Sequence, residues 1–523
     1  MTSIALTLGL FICFLILNFI YKLFRPYYIM LKWKKQYGDK VEYYFHPING
    51  SKHKPKESLE KFNDDHYWVV DIVNRNPNVQ LIISNYMGKV MIILLNPDLI
   101  REQAQNQRFY ERRGLEQVWL SHKLLTLSLF GDISFDKWKK QKAILSPVFH
   151  FDNLKSKVEI IKEVTAKEVE KYKKLYTVND GNIKWDLENE LKDITGEVVV
   201  KSFFGKEYNG TIKDPNGAKE LSISEYFVNT MQQLTVYSMS MKHLMKRTFL
   251  GKYISDKFFL SQEQKQMIKK VEVMRQVLDN IVEEKINSFD PNKTNIDLSE
   301  IYISAFLNQK QGEQYPITKE EIVHQFIAFH ITGAGTTANL ASKLIYFLGL
   351  YPEVKAKVEK EISDVFASTD DINFENLKKL VYVQAYMKEV LRYFGTVSKS
   401  MMRESMKRQQ IGGFTIEKGW IVQSFIHQMM RSHHYFPEPD DFRPERFLEK
   451  YTDIQKVYTP FHQGSQNCIG QHLAEMEAKI ILIYFVKNFE ISCPYKSHAD
   501  IKIIQSTTYR SIDPYLCQIK LKK

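Results

Sequence analysis

A chain of 523 residues that is 44% hydrophobic and 13% aromatic can build a large core, which excludes global disorder. Its 73 Lys and Arg against 61 Asp and Glu leave a net charge of +12, which suits nucleic acid, an anionic membrane surface or an acidic protein partner. The four cysteines, Cys13, Cys468, Cys493 and Cys517, form no Cys-x-x-Cys pair, so neither a structural zinc site nor a disulfide scaffold is indicated.

Length alone suggests two or more domains. No Gly/Ser/Pro linker, low-complexity tract or internal repeat divides the chain, so one large α-rich unit is expected. No zinc finger, aromatic-basic platform or helix-turn-helix spacing supports nucleic acid. The membrane reading has direct support at the N-terminus. Ile4 to Phe24 is rich in Leu, Ile and Phe, with Lys22 its only charge. That is about the 20 residues needed to cross a bilayer. A cleaved signal peptide would carry its basic residues first and a small-residue cleavage site after a shorter apolar run. Here Lys22, Arg25, Lys32, Lys34 and Lys35 follow the run, and the positive-inside rule keeps the body cytosolic. The predicted organisation is an anchor over 1–24, a connecting segment over 25–50 and a body over 51–523.

Further along, Phe227 to Phe259 is rich in Met and aromatics and reads as core helices or as the lining of an apolar entry. Residues 319 to about 349 read as one long helix. Thr318 and Glu321 form a capping box at its start, and Gly349 then Pro352 mark its end. Its middle, Thr332-Gly333-Ala334-Gly335-Thr336-Thr337, is poor in helix formers. The motif predicts either a close helix crossing at small residues or a locally opened helix with a groove for small molecules. Val383 to Phe394 reads as another helix with Glu389 and Arg392 on one face. Adjacent His433 and His434 do not share a helix face, so they indicate no metal site. The stretch Phe461 to Gly470, Phe-His-Gln-Gly-Ser-Gln-Asn-Cys-Ile-Gly, sets one cysteine in a glycine-framed loop before an amphipathic run. A cysteine thiolate can be the axial ligand of a haem iron. Gly464 and Gly470 would let the main chain lie against a macrocycle and turn with φ > 0, and Phe461 would cover the sulfur.

The pattern Phe461-x-x-Gly464-x-x-x-Cys468-x-Gly470 resembles the haem loop of the cytochrome P-450 monooxygenases. The order Trp138, Thr336, Glu389 with Arg392, Arg446 in Pro444-Glu445-Arg446-Phe447, and Cys468 extends the resemblance over roughly residues 100 to 490. It implies a mainly α fold with a small β region, with haem b (iron protoporphyrin IX) between the 319–349 helix and the Cys468 loop. It implies Cys468 as the iron ligand and Thr336 as the threonine that helps deliver protons to dioxygen. It implies Glu389, Arg392 and Arg446 as a buried structural network, and Trp138, Lys142 and Arg403 as holders of the haem propionates. Three positions depart from the family: Gly335 stands where an acid is usual, Lys142 where an arginine is usual, and Gln466 where a base is usual.

The reaction implied is insertion of one oxygen atom from dioxygen into a lipophilic substrate, with electrons from NADPH through a reductase. The Lys137-to-Lys142 run then reads as a docking patch for an acidic face of that reductase, or as a solvated helix face. A single-pass anchor in the endoplasmic reticulum, with the catalytic body cytosolic, follows from the likeness to microsomal members. Those carry a proline-rich hinge where this chain has only Arg25-Pro26. Two other readings are a same-fold enzyme that rearranges peroxides and a non-catalytic, membrane-anchored haem-binding protein.

Overall fold

The computed structural model describes residues 2–44, 53–86, 89–113, 118–178, 184–205, 210–215, 217, 220–258, 260–292, 297–449, 452–505, 508–513 and 515–522. The principal helices are α1 (Thr2–Tyr37), α2 (Phe135–Leu145), α3 (Phe151–Val178), α4 (Leu187–Phe204) and α5 (Ile223–Met239). After them come α6 (Gln262–Asn287), α7 (Lys319–Leu350), α8 (Pro352–Val365), α9 (Val381–Tyr393) and α10 (Gln471–Asn488). The strands that matter here are β1 (Val41–Tyr43), β2 (Leu81–Tyr86), β3 (Lys89–Leu94), β4 (Tyr110–Arg112), β5 (Lys184–Asp186) and β6 (Arg403–Ser405). They continue with β7 (Ile421–Ser424), β8 (Phe489–Ser492), β9 (Ile503–Gln505), β10 (Tyr509–Ser511) and β11 (Leu516–Leu521).

Helix α7 is the spine. Its 32 residues span about 48 Å at the usual helical rise. Glu321 to His330 and Thr337 to Leu348 are buried continuously, packed on α4, α5 and α10. A helix apolar on all sides belongs inside a large protein. The Thr318 hydroxyl caps its start by accepting from the Glu321 N–H at 3.1 Å. The expected reciprocal half of the capping box is not made. The Glu321 carboxylate instead meets the Lys137 ammonium at 3.0 Å and the Gln141 amide at 2.5 Å. A buried carboxylate gains more from an ammonium than from the cap N–H. Pro352 opens α8, as its position after Gly349 predicts.

A six-stranded sheet in the order β1-β2-β3-β7-β6-β4 forms the second layer. The connecting segment expected over 25–50 is in part regular structure. Helix α1 continues through Pro26 to Tyr37, and β1 pairs in parallel with β2. Buried Met30 and Trp33 explain this: the Trp33 ring lies 5.8 Å from Phe414 and 5.4 Å from Trp420, centroid to centroid. Such burial offsets the roughly 3 kcal/mol that an interior proline costs. Residues 45–50 of that segment lie outside the described residues. Among the described residues, no helix is long and apolar enough to cross a membrane.

The 227–259 stretch divides between its two readings. Phe227, Met231 and Tyr237 are buried in the main core, whereas Tyr253, Ile254 and Phe258 are exposed. Phe259 lies outside the described residues.

Candidate functional site

The Cys468 loop is a turn built before α10. The Cys468 N–H donates to the Phe461 carbonyl at 3.0 Å, which closes the loop on itself. Gly464 adopts φ 79°, and a Cβ there would sit 2.6 Å from the Ala104 carbonyl oxygen, so only glycine fits. Its tight neighbour is thus protein backbone. Gly470 does not take the expected positive φ; at φ −90° it is the residue from which α10 starts. Phe461 is half-buried against the main core. Cys468 is an exposed residue of this loop. The surrounding protein desolvates it and pushes its thiol up, against the Gly470 N–H and the Lys142 ammonium, which pull it down. The positive end of α10 also favours a thiolate. A metal at the sulfur would deprotonate it outright.

Three cations gather beside this loop. Strands β4 and β6 pair antiparallel with Arg112 directly opposite Arg403. Both are buried, at 7% and 3% exposure. Like charges placed so are destabilising. The Gln466 side-chain oxygen accepts from both, at 3.4 Å from Arg112 Nε and in close contact with Arg403 Nη1. Arg112 Nη1 also donates to the Leu129 carbonyl. Lys142 reaches across from α2 to the Ser465 carbonyl and, at 3.2 Å, to Asn467 Oδ1. Its ammonium lies 5.4 Å from the Trp138 ring centroid. Every hydrogen bond of these three cations among the described residues goes to an amide or carbonyl oxygen. Burial pulls Arg112 down to about 9, with Arg403 adding to the pull and Asp132 opposing it, and burial pulls Arg403 down to about 10 against Tyr110. Arg403 Nε and Trp138 Nε1 are buried without a partner among the described residues.

Uncompensated buried charges cost several kcal/mol each by the usual order of magnitude. Asp132 only partly answers Arg112, so the cluster suits a bound anion. A haem, with two propionates, fits these donors, and the Cys468 sulfur suits its iron.

Helix α7 offers the other wall. Between its two buried stretches, Thr332, Gly333, Gly335 and Thr336 are only half-buried. A Cβ on Gly335 would meet nothing within 4 Å, whereas one on Gly333 would come within 2.8 Å of Val199. The motif therefore makes the close crossing, with α4 on one edge, while the other edge faces open space. The Thr195 hydroxyl donates to the Ala334 carbonyl at 2.9 Å on the packed edge. The local opening of the helix does not occur. Thr336 Oγ1 donates to the Thr332 carbonyl at 2.6 Å, Thr332 Oγ1 to the Ala328 carbonyl at 2.7 Å, and the helix is continuous. Loop and helix meet through aromatics: Phe149 lies 4.0 Å from where a Gly470 Cβ would be and stacks on Phe329 of α7 at 5.9 Å.

Glu389 and Arg392 form a two-bonded pair at 2.8 and 2.9 Å, and Arg446 Nε joins Glu389 at 3.2 Å. All three side chains are fully buried. The arginines donate onward to the carbonyls of Met430, Pro437, Glu438 and Asp441, which ties the segment before the cysteine loop to α9.

Of the lysine run on α2, Lys137 pairs with Glu321, Lys140 with Glu313, and Lys142 bonds to the Ser465 carbonyl of the loop. Lys139 is the member that stands exposed. An open cleft of about 560 Å3 lies elsewhere, where Arg275 pairs with Glu320 and Asp279; none of the residues above line it. Arg112 and the clamp by Gln466 were missed in the sequence. The adjacent Arg112-Arg113 pair was the signal, but only the β4–β6 register gives it meaning.

The family profile described as Cytochrome P450 matches residues 76–517, and the chain belongs to that family, whose members are in general haem-thiolate monooxygenases. It is 28% identical over 397 residues to "Cytochrome P450 4V2" of Rattus norvegicus, which covers 73% of this chain and 70% of the relative. It is 26% identical over 432 residues to the Homo sapiens protein of that name, with 79% and 78% covered. "Cytochrome P450 3A9" of Rattus norvegicus is 23% identical over 450 residues, 83% of each chain. Among solved structures, the cytochrome P450DA heme domain superposes with a TM-score of 0.71 at 20% identity, covering 92% of this chain and 98% of that one, which shows a shared fold.

Proposed function

We propose that this chain is a membrane-anchored monooxygenase that inserts one oxygen atom from dioxygen into a lipophilic substrate, with electrons from NADPH through a reductase. The observation that carries the reading is the exposed Cys468 beside two directly opposed, buried arginines whose hydrogen bonds, among the described residues, go to no carboxylate.

When bound, haem b supplies the dioxygen-activating chemistry, and thiolate donation to its iron favours O–O cleavage. Cys468 would hold the iron, and the Gly470 N–H, the Lys142 ammonium and the start of α10 would stabilise the sulfur's charge. Arg112, Arg403, Lys142 and Trp138 Nε1 hold the two carboxylates; Lys142 does so as a single point charge without the arginine fork. The Phe461 carbonyl holds the loop closed by accepting from the Cys468 N–H. Thr336 moves protons through its hydroxyl once that hydroxyl turns from the Thr332 carbonyl, and the open space at Gly335 holds water where the family has an acid. Glu389, Arg392 and Arg446 are structural.

The anchor reading rests on the sequence and on exposed apolar side chains of α1, among them Leu6, Leu10, Phe11, Phe14, Leu17 and Phe24. It places the body on the cytosolic side of the endoplasmic reticulum. Because the lysines of α2 are largely paired within the chain, an acidic reductase face must find other cations besides Lys139.

Purified with an NADPH-dependent reductase, the protein should oxidise NADPH and consume dioxygen faster when a lipophilic extract fraction shifts the haem absorbance. An extract-independent rate, with no product carrying oxygen from dioxygen, would overturn the reading.

A further inference from the structure

Two cysteines play no part in the site described above, yet they lie against each other. Strands β8 and β11 pair antiparallel with Ser492 opposite Gln518, which makes Cys493 and Cys517 the next opposed positions. Their sulfurs are 3.5 Å apart. Directly opposed residues of an antiparallel ladder hold their Cα atoms about 4.5–5.5 Å apart. That lies inside the roughly 4.4–6.8 Å span that a disulfide needs. The sulfurs can close the remaining gap by side-chain rotation.

The surroundings give the two thiols different roles. Cys493 is half-buried and is the nearer of the two to solvent, while Cys517 is 1% exposed. Burial pushes the Cys517 thiol well above its ordinary value, with Cys493 adding to the push, so Cys517 is the slower to attack. Cys493 Sγ contacts the Tyr346 carbonyl of α7 at 3.1 Å, and a Cβ on Gly349 would sit 2.5 Å from that sulfur. Gly349 thus leaves the sulfur its room.

We propose that Cys493 and Cys517 form a peroxide-reactive dithiol that closes a reversible disulfide between β8 and β11. The Cys493 sulfur attacks one oxygen of hydrogen peroxide; the O–O bond breaks, leaving a sulfenic acid and one water. The Cys517 sulfur then attacks the sulfenic sulfur; the S–O bond breaks, the S–S bond forms and a second water leaves. Two thiols are oxidised by two electrons in all, peroxide is reduced to water, and both thiol protons end in water. A thiol reductant reverses the bond by exchange. The bond closes a loop of sequence separation 24 that contains β9 and β10. Within it, the Tyr509 carbonyl accepts from Lys343 of α7 at 2.6 Å, so the closed loop braces the far end of the spine. None of this depends on the function proposed above.

The test uses the full-length, haem-loaded protein. It is exposed to a small excess of hydrogen peroxide, alkylated, digested without reductant and mapped by mass spectrometry. The expected result is one cross-linked peptide joining Cys493 to Cys517, with two thiols lost per chain and both regained in dithiothreitol. Cys517→Ser should trap a sulfenic acid at Cys493 that a dimedone probe labels. Cys493→Ser should leave Cys517 unlabelled. A stable sulfinic acid at Cys493 with Cys517 still free, or a cross-link through Cys13 instead, would overturn the proposal. The wild-type map decides by itself if a serine variant fails to load haem.

Discussion

Thr336 and Gly335 are neighbours with opposite signatures: one hydroxyl tucked onto its own helix, one position opening on empty space. The proposed proton delivery would need the hydroxyl and water together. Thr336→Ala should keep haem content and the CO spectrum but divert electrons to peroxide. Assistance of this kind is worth roughly 10²–10⁴ in rate, so product formed per NADPH should drop visibly. Equal coupling in wild type and Thr336→Ala would make the threonine a packing residue and favour the peroxide-rearranging alternative. Gly335→Asp, for which there is room, should raise coupling. The arginines make a second test at this scale. A charge-assisted hydrogen bond contributes about 1.5–3 kcal/mol, so Arg403→Gln should weaken haem retention by roughly ten- to a hundredfold. Arg112→Gln should do the same, and the double variant should cost less than the sum because Gln466 holds both. Unchanged haem affinity in both single variants would remove the propionate role.

Helix α9 and the segment that follows it depend on Glu389. Its carboxylate accepts from two buried guanidiniums and from the Arg443 N–H at 2.8 Å. Glu389→Ala leaves two buried cations uncompensated and should cost about 3–5 kcal/mol, read as a lower melting midpoint and poor haem loading. A variant as stable as wild type would mean that water solvates this network. The elements also show where the sequence was readable. The Cys468 loop, the long α7 and the Glu389-x-x-Arg392 pair are local: their residues are contiguous or one turn apart, so spacing reveals them. The opposition of Arg112 and Arg403 is not local, because it arises from a strand pairing across hundreds of residues. The pairing of the lysine run is hidden from the sequence for the same reason. Its charges are answered by Glu313 and Glu321, from a loop and from α7, which spacing cannot bring next to α2. The locally opened helix failed because both threonines satisfy their hydroxyls on carbonyls one turn back.

At the scale of the whole molecule, topology and haem ligation are separable. If α1 anchors the chain with the body cytosolic, the protein should stay in carbonate-washed membranes, and protease added outside sealed microsomes should digest the body. Protection of the body would reverse the orientation. Deleting residues 1–24 should leave haem binding intact, because the docked part of α1, Met30 and Trp33, lies beyond the deletion. The α7 wall, the cation cluster and the loop all converge on one claim: Cys468 is the sulfur that would hold the iron. The ferrous–CO absorbance of wild type and Cys468→Ala tests it most directly. The strongly red-shifted Soret band of a thiolate haem should appear in the wild type and vanish in Cys468→Ala, while Cys493→Ala and Cys517→Ala keep it. A band that survives in Cys468→Ala, or disappears in either of the other two, would contradict the assignment.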